Sequence, residues 1–265
     1  MSSHCGITPS HLRMMLYLRR KQKNMKPESF VIASRFCGPT PSGNGGYVCG
    51  SVAAHLPGTV SVRLKAPPPL QIALQIEVSD GEARLMQGSD VIAEARSADL
   101  DLTPPAAPSF EDAKDATKSY AGFAHHPFPR CFVCGPQRGR GDGLRIFAGP
   151  MRSRALVAAP WIPDASLADR SGKVRAEFLW AALDCPGAWA AGPYPEGNAL
   201  VLGELCARIT GRVMPGEKCV VIGWPIESEG RKRFAGTAVF ASSGQAVAVA
   251  RATWLEVPAS AFGGA

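Results

Sequence analysis

Residues 176–191 read AEFLWAALDCPGAWAA, and only two of these sixteen residues are charged, Glu177 and Asp184. A run that is apolar almost all round has the composition of a helix enclosed by protein. Seven residues at ~100° each separate the two carboxylates by roughly 700°, so a continuous helix sets them on nearly the same face. A carboxylate inside a buried helix is costly unless it is paired, neutralised or used. Asp184 is therefore the leading candidate functional residue. A plainer reading stands beside it. Pro186 cannot donate to the carbonyl of Ala182 and disfavours helix at Cys185, so the helix kinks or ends there and Asp184 bonds freed backbone donors. Glu177 lies in the first turn, where an acid suits the helix dipole; otherwise it is a second acid or an alternative base.

Outward from this stretch the chain repeats itself. Ala83–Met86, Gly88 and VIAEARSADLDL from Val91 in the first half match Ala238–Ala241, Gly244 and AVAVARATWLEV from Ala246 in the second. At an offset of 155 residues, Ala95-Arg96 meets Ala250-Arg251 and Leu100 meets Leu255. Each half closes with two strands joined by a short turn, at Gly88-Ser89 and at Ser243-Gly244. Upstream, Asn44-Gly45-Gly46 opens an uncharged apolar stretch, YVCGSVAAHL, in the place that residues 176–191 hold in the second half. Strands of period two follow each: Ser61–Ala66 and Leu70–Val78, with Ile72, Leu74, Ile76 and Val78 on one face, then Leu200–Ile209, Lys218–Trp224 and Arg233–Phe240. No long amphipathic helices follow the strands, which argues against βαβ crossovers. The pattern predicts an α+β fold in which an antiparallel sheet wraps one buried helix, made twice. The expected divisions are an extension over 1–25, a first unit over 26–103, a linker over 104–127 carrying TPPAAP and a polar run, a second unit over 128–258 and a tail over 259–265.

The net charge of +7 is unevenly placed. Residues 1–26 hold six basic residues and no acid, leaving 23 bases against 22 acids in the rest. A nearly neutral body argues against nucleic-acid binding, and no apolar run reaches the roughly 18 residues of a membrane span. MLYLRR is apolar then basic, the reverse of a secretory signal. Met25 makes a sensible start; the preceding residues read as a disordered extension or misassigned start, with a basic anchor or targeting peptide as the alternatives. Eight cysteines, mostly in apolar surroundings, read as buried free thiols in a reducing, cytoplasmic setting. Cys131-x-x-Cys134 with His125 and His126 upstream offers four ligands within ten residues. Structural zinc normally draws on two separated ligand pairs, so the stretch reads as a packed loop ahead of metal or redox roles, and no metal is expected.

The arrangement resembles the hotdog fold in tandem, over roughly residues 28–257. Asn44-Gly45-Gly46 resembles the His-Gly-Gly helix opening of hotdog thioesterases, with Asn in place of His. Cys131-Phe132-Val133-Cys134-Gly135-Pro136, with Gly143-Leu144-Arg145, resembles a stretch ahead of the first strand in some members. Leu183-Asp184 resembles the Leu-Ala-Asp of the phenylacetyl-CoA thioesterase type, in which a helix Asp acts in hydrolysis nine residues after the opening His. Nine before Asp184 stands Arg175, so Arg175-Ala176-Glu177 replaces His-Gly-Gly there; nine after Asn44 stands Ala53. The two halves divide the motif between them.

The resemblance implies an acyl-CoA thioesterase whose substrate sits in a groove between the two units, with no cofactor beyond that substrate and no membrane partner. Asp184 would be the base, or would attack directly to give an anhydride. Helix-start N–H groups at Gly45-Gly46-Tyr47, or at Ala176 and Glu177, would polarise the carbonyl. Arg138, Arg140, Lys173 and Arg175 are candidates for the phosphates of coenzyme A, or solvated surface charges. The alternatives are a non-catalytic acyl-thioester binder and, lower, an enoyl-CoA hydratase or dehydratase, for which no Asp-x-x-x-x-His spacing is present. One chain would already be a pseudo-dimer, and a homodimer of these is a further expectation.

Overall fold

The computed structural model describes residues 28–192 and 197–262. The expected extension over 1–25 and the last residues of the expected tail lie outside them. Eleven strands form a single sheet: β1 (Glu28–Val31), β2 (Val60–Leu64), β3 (Ala73–Ser79), β4 (Glu82–Gln87), β5 (Asp90–Ser97), β6 (Gly149–Pro150), β7 (Val157–Trp161), β8 (Asn198–Ile209), β9 (Cys219–Glu229), β10 (Lys232–Phe240) and β11 (Ala246–Pro258). Their order is β1-β3-β4-β5-β2-β8-β11-β10-β9-β7-β6, and every named pairing is antiparallel.

The order reads the same way outward from the β2·β8 pair. On one side come β5, β4, β3 and β1; on the other come β11, β10, β9 and β7. Ala95-Arg96 in β5 and Ala250-Arg251 in β11 thus occupy corresponding strands, which is the physical content of the 155-residue repeat. The hairpins turn where expected, with Gly88 at φ 59° and Gly244 at φ 82°, left-handed values that glycine adopts freely. At the central seam Ser61 stands opposite Cys206 and Arg63 opposite Glu204. The Ser61 hydroxyl donates to Glu204 Oε1 at 2.6 Å, and Arg63 pairs with Glu204 Oε2 at 2.8 Å.

Helix α1 (Gly45–Ala53) and helix α3 (Ala176–Ala182) lie against one another beneath this sheet, both with mostly buried residues. Between them in the chain comes α2 (Phe110–Thr117), inside the segment expected as a linker. Ser109 caps it by accepting the Asp112 N–H, and Glu111 and Asp112 suit its first turn. It buries Ala113 and Ala116 over β7 and β9, on a second apolar cluster with Val220, Ile222, Ala238 and Phe240. Val221 and Val239 belong instead to the main core around α1 and α3. Side chains alternate across a strand, so this second half of the sheet is covered on both faces. In the first half, β3 alternates between exposed and buried positions; Leu74 and Ile76 face the core, while Ile72 falls outside the strand and is 43% exposed.

The continuous helix expected over 176–191 is two helices. Helix α3 ends at Ala182, Asp184 adopts φ −76° and ψ −87°, and α4 (Cys185–Ala190) begins after it with Pro186 in its first turn. The break follows from Pro186, which lacks the donor a continuous helix needs. Past the break the Gly187 N–H bonds the Asp184 carbonyl, and the Leu183 carbonyl accepts from the Thr237 hydroxyl of β10 at 2.7 Å. Since Glu177 and Asp184 do not share one helix, the angular argument for a common face fails.

Candidate active site

At the helix break the Asp184 side chain is 2% exposed. Its Oδ2 accepts from the Asn44 side-chain amide at 2.7 Å and from the Gly46 N–H at 2.9 Å. Its Oδ1 is buried with no hydrogen-bond partner among the described residues. Burial pushes the carboxyl up to about 7, against the pull of the Gly46 and Asn44 hydrogen bonds. Asn44 caps α1 with the other end of its amide, since Oδ1 accepts the Tyr47 N–H at 2.9 Å. Acceptor and donor ends of the amide thus each meet their complement, which sets its orientation.

Two glycines one helical turn apart let the helices come this close. A Cβ at Gly46 would stand 2.6 Å from Asp184 Cβ and 2.7 Å from the Trp180 carbonyl oxygen. A Cβ at Gly50 would stand 2.7 Å from Glu177 Cα and from Trp180 Cβ. The chain places glycine here because the α1 backbone itself is the packing surface.

Asp184 lines a cavity of about 210 Å³ with walls from both halves of the chain. The first half contributes Gly43–Gly45 and Leu64–Pro68, the second contributes Leu200–Gly203 and Trp254, and the connecting stretch contributes His126, Cys131 and Cys134. The lining is mostly apolar with a few polar groups, the usual character of a small-molecule site. The Trp254 indole N–H has no partner among the described residues.

Of the residues expected from sequence, Asn44, Gly45 and Asp184 line this cavity, and Gly46 touches Asp184. The others stand elsewhere. Tyr47 stacks on Phe36 at 4.2 Å. The N–H groups of Gly46 and Tyr47, expected to face a substrate carbonyl, are taken by Asp184 and Asn44; that of Gly45 is engaged by neither side chain. Ala176 and Glu177 are not in the cavity wall. Glu177 pairs with Arg175 Nε at 3.2 Å, and the Arg175 guanidinium lies over the Phe178 ring at 4.6 Å. Lys173 meets Asp169 through its backbone N–H at 3.2 Å. Arg138 is no surface charge: it is 6% exposed and donates to the Arg130 carbonyl at 2.7 Å, to Asp142 at 2.9 Å and to Cys37 Sγ at 3.0 Å. Arg140 is exposed, away from the cavity.

Sequence reasoning missed Lys65, Trp254 and Cys185 as cavity residues. Cys185 had a visible cue in its place next to Asp184, but its spatial neighbours Cys131 and Cys134 lie some fifty residues upstream. Trp254 had no cue, because an aromatic in an alternating strand reads as core. The loop reading of Cys131-x-x-Cys134 is incomplete, since the structure adds this third thiol to the pair.

No family model matches the sequence, and no curated protein matches it. Solved structures do. The fold resembles an acyl-CoA thioesterase II, TesB2, from Mycobacterium marinum at TM-score 0.57 and 12% identity, over 88% of this chain and 96% of that one. It resembles a tesB protein from Mycobacterium avium subspecies paratuberculosis at 0.53 and 16%, over 83% and 90%. It also resembles a protein of unknown function with the hot dog fold from Alicyclobacillus acidocaldarius at 0.53 and 10%, over 88% and 94%. The chain has the hotdog fold.

Proposed function

We propose that this chain is an acyl-CoA thioesterase made of two tandem hotdog units, one wrapped around α1 and the other around α3. The observation that carries the reading is the Asp184 carboxylate: the residue lines a cavity shared by both halves, its Oδ2 is held by Asn44 and Gly46, and its buried Oδ1 has no partner among the described residues. A carboxylate fixed through one oxygen and unengaged at the other is arranged to take a proton from water. That water attacks the thioester carbonyl, the C–S bond breaks, and the proton passes to the departing thiolate. Charge developing on the carbonyl oxygen needs a donor; the Gly45 N–H, in a residue that lines the cavity, is the candidate. The apolar lining suits the acyl group. The likeness to TesB-type structures agrees with this chemistry.

The test is release of free thiol from acyl-CoA esters of graded chain length by the full chain and by Asp184→Asn. The variant keeps an acceptor for the Gly46 N–H and its circular dichroism should be unchanged, while kcat/KM should fall by about 10³-fold. A folded variant with undiminished turnover ends the assignment. One observation favours a non-catalytic acyl-thioester binder as the second reading: Asp184 already occupies the Gly46 N–H that would otherwise meet a substrate carbonyl. Tight acyl-CoA binding by the unmodified chain with no thiol released is the signature of that reading.

A further inference from the structure

We propose that Cys131, Cys134 and Cys185 form a three-thiolate binding site for a zinc-class divalent cation, with the fourth coordination position open to the cavity. The three sulfur atoms all lie within 4.8 Å of one another, and Cys131 Sγ and Cys185 Sγ are 3.6 Å apart. Sulfurs at ~2.3 Å from a tetrahedral zinc stand about 3.8 Å from each other, so the cluster needs only a small contraction to ligate. The other buried cysteines, Cys37, Cys49 and Cys219, belong to no such group among the described residues; Cys37 Sγ accepts from Arg138, and Cys49 and Cys219 serve as ordinary apolar side chains.

The loop around Cys131 is shaped for this use. The Gly135 N–H closes the turn on the Cys131 carbonyl at 2.9 Å. A Cβ on Gly135 would stand 2.5 Å from Cys131 N and 2.6 Å from the Cys131 and Pro129 carbonyl oxygens, so the turn requires glycine.

Three thiolates around a divalent cation leave a net charge of −1 in a buried place, which needs donors around it. They are present. His126 Nε2 is 3.3 Å from Cys134 Sγ, and its Nδ1 accepts the Phe128 N–H at 2.9 Å. With Nδ1 accepting, the ring proton sits on Nε2, so His126 donates to the sulfur and is not itself a ligand. The Asn44 amide nitrogen lies 3.9 Å from Cys131 Sγ. All three cysteines line the cavity, which leaves the fourth position to water or another small ligand. Loading expels the three thiol protons to solvent. A bound cation also ties Cys185, the residue after Asp184, to the loop across from it.

The full chain, purified without added metal or chelator, should carry one equivalent of zinc by elemental analysis. After removal of that metal under reductant, Co2+ should restore one equivalent, with thiolate-to-cobalt charge-transfer absorption and the intense visible bands of a tetrahedral site. Cys134→Ser and Cys185→Ser should weaken cobalt binding by roughly a hundredfold or more, beyond the cost of losing an outer-shell partner. Cys49→Ser and Cys219→Ser, at buried thiols outside the cluster, should leave it intact. If a cysteine variant misfolds, the zinc titration of the unmodified chain decides alone. Failure of the reduced chain to take up zinc or cobalt, equal uptake by Cys185→Ser, or a Cys131–Cys185 disulfide with no uptake after its reduction each overturns the site. These readouts need no thioester, so they stand or fall apart from the assignment of Asp184.

Discussion

Asn44, Gly45 and Gly46 open α1, and Arg175, Ala176 and Glu177 open α3, at matching places in the two halves of the sheet. The first start is capped by a side chain and meets the acid at the break between α3 and α4. The second has no side-chain cap, and its own Glu177 is paired with Arg175. The residue that mirrors Asp184 nine positions after the helix opening is Ala53. The symmetric strand order thus offers two comparable helix starts, and one of them meets a buried carboxylate with an oxygen that has no partner among the described residues. The difference teaches that a shared strand order does not impose shared helix starts: cap, glycine and acid coincide at the first start and not at the second.

The comparison breaks most visibly at Gly46. Alanine there drives Cβ into the α3 backbone and the Cβ of Asp184 and should cost about 3 kcal/mol, read as a lower urea midpoint, with thiol release lost. Asn44→Ala removes both the cap and one of the two hydrogen bonds holding Asp184. It should cost about 2 kcal/mol and lower kcat about 10²-fold with a smaller effect on KM. Thr237→Val leaves the Leu183 carbonyl without its side-chain donor and should cost about 1–2 kcal/mol by denaturant titration, separating helix-break stability from chemistry.

The seam between the halves should weaken in acid. Burial alone would raise the Glu204 carboxyl, but the Ser61 hydroxyl and the Arg63 guanidinium outweigh it and hold it below the usual glutamate range. A lowered folded-state value means that its stabilisation is present above the unfolded pKa and disappears as pH falls through the folded one. Melting temperature should therefore decline more steeply below about pH 4 in the native chain than in Glu204→Gln. The smallest effect belongs to the second helix start. Glu177→Gln should stay within about 0.5 kcal/mol with kcat/KM unchanged. A loss of turnover there comparable to that of Asp184→Asn would end the distinction between the two helix starts.

Much of the frame was legible because it rests on local signals. Hairpins at Gly88 and Gly244 follow from turn chemistry, and the common place of β5 and β11 follows from the repeated Ala-Arg pairs. Asn44 and Asp184 were legible as polar residues at the edge or centre of apolar stretches. Other features rest on distance. The helix inside the expected linker forms because Ala113 and Ala116 find an uncovered sheet face, which a short polar segment does not advertise. The break at Asp184 was only half legible: Pro186 announced it, but the Thr237 hydroxyl that accommodates it arrives from β10.

By itself the sequence determined the alternation of strands, their duplication and the presence of one uncompensated acid in an apolar run, since these depend on neighbours a few residues apart. Tertiary structure alone decided that Asp184 meets Asn44 and Gly46, that Glu177 and Arg138 turn to partners of their own, and that Cys185 joins Cys131 and Cys134. Those contacts span from 51 to 140 residues for the acid and the thiols. They exist because glycines at 46 and 50 let two helix backbones touch, and close approach between remote segments leaves no periodic trace in the chain.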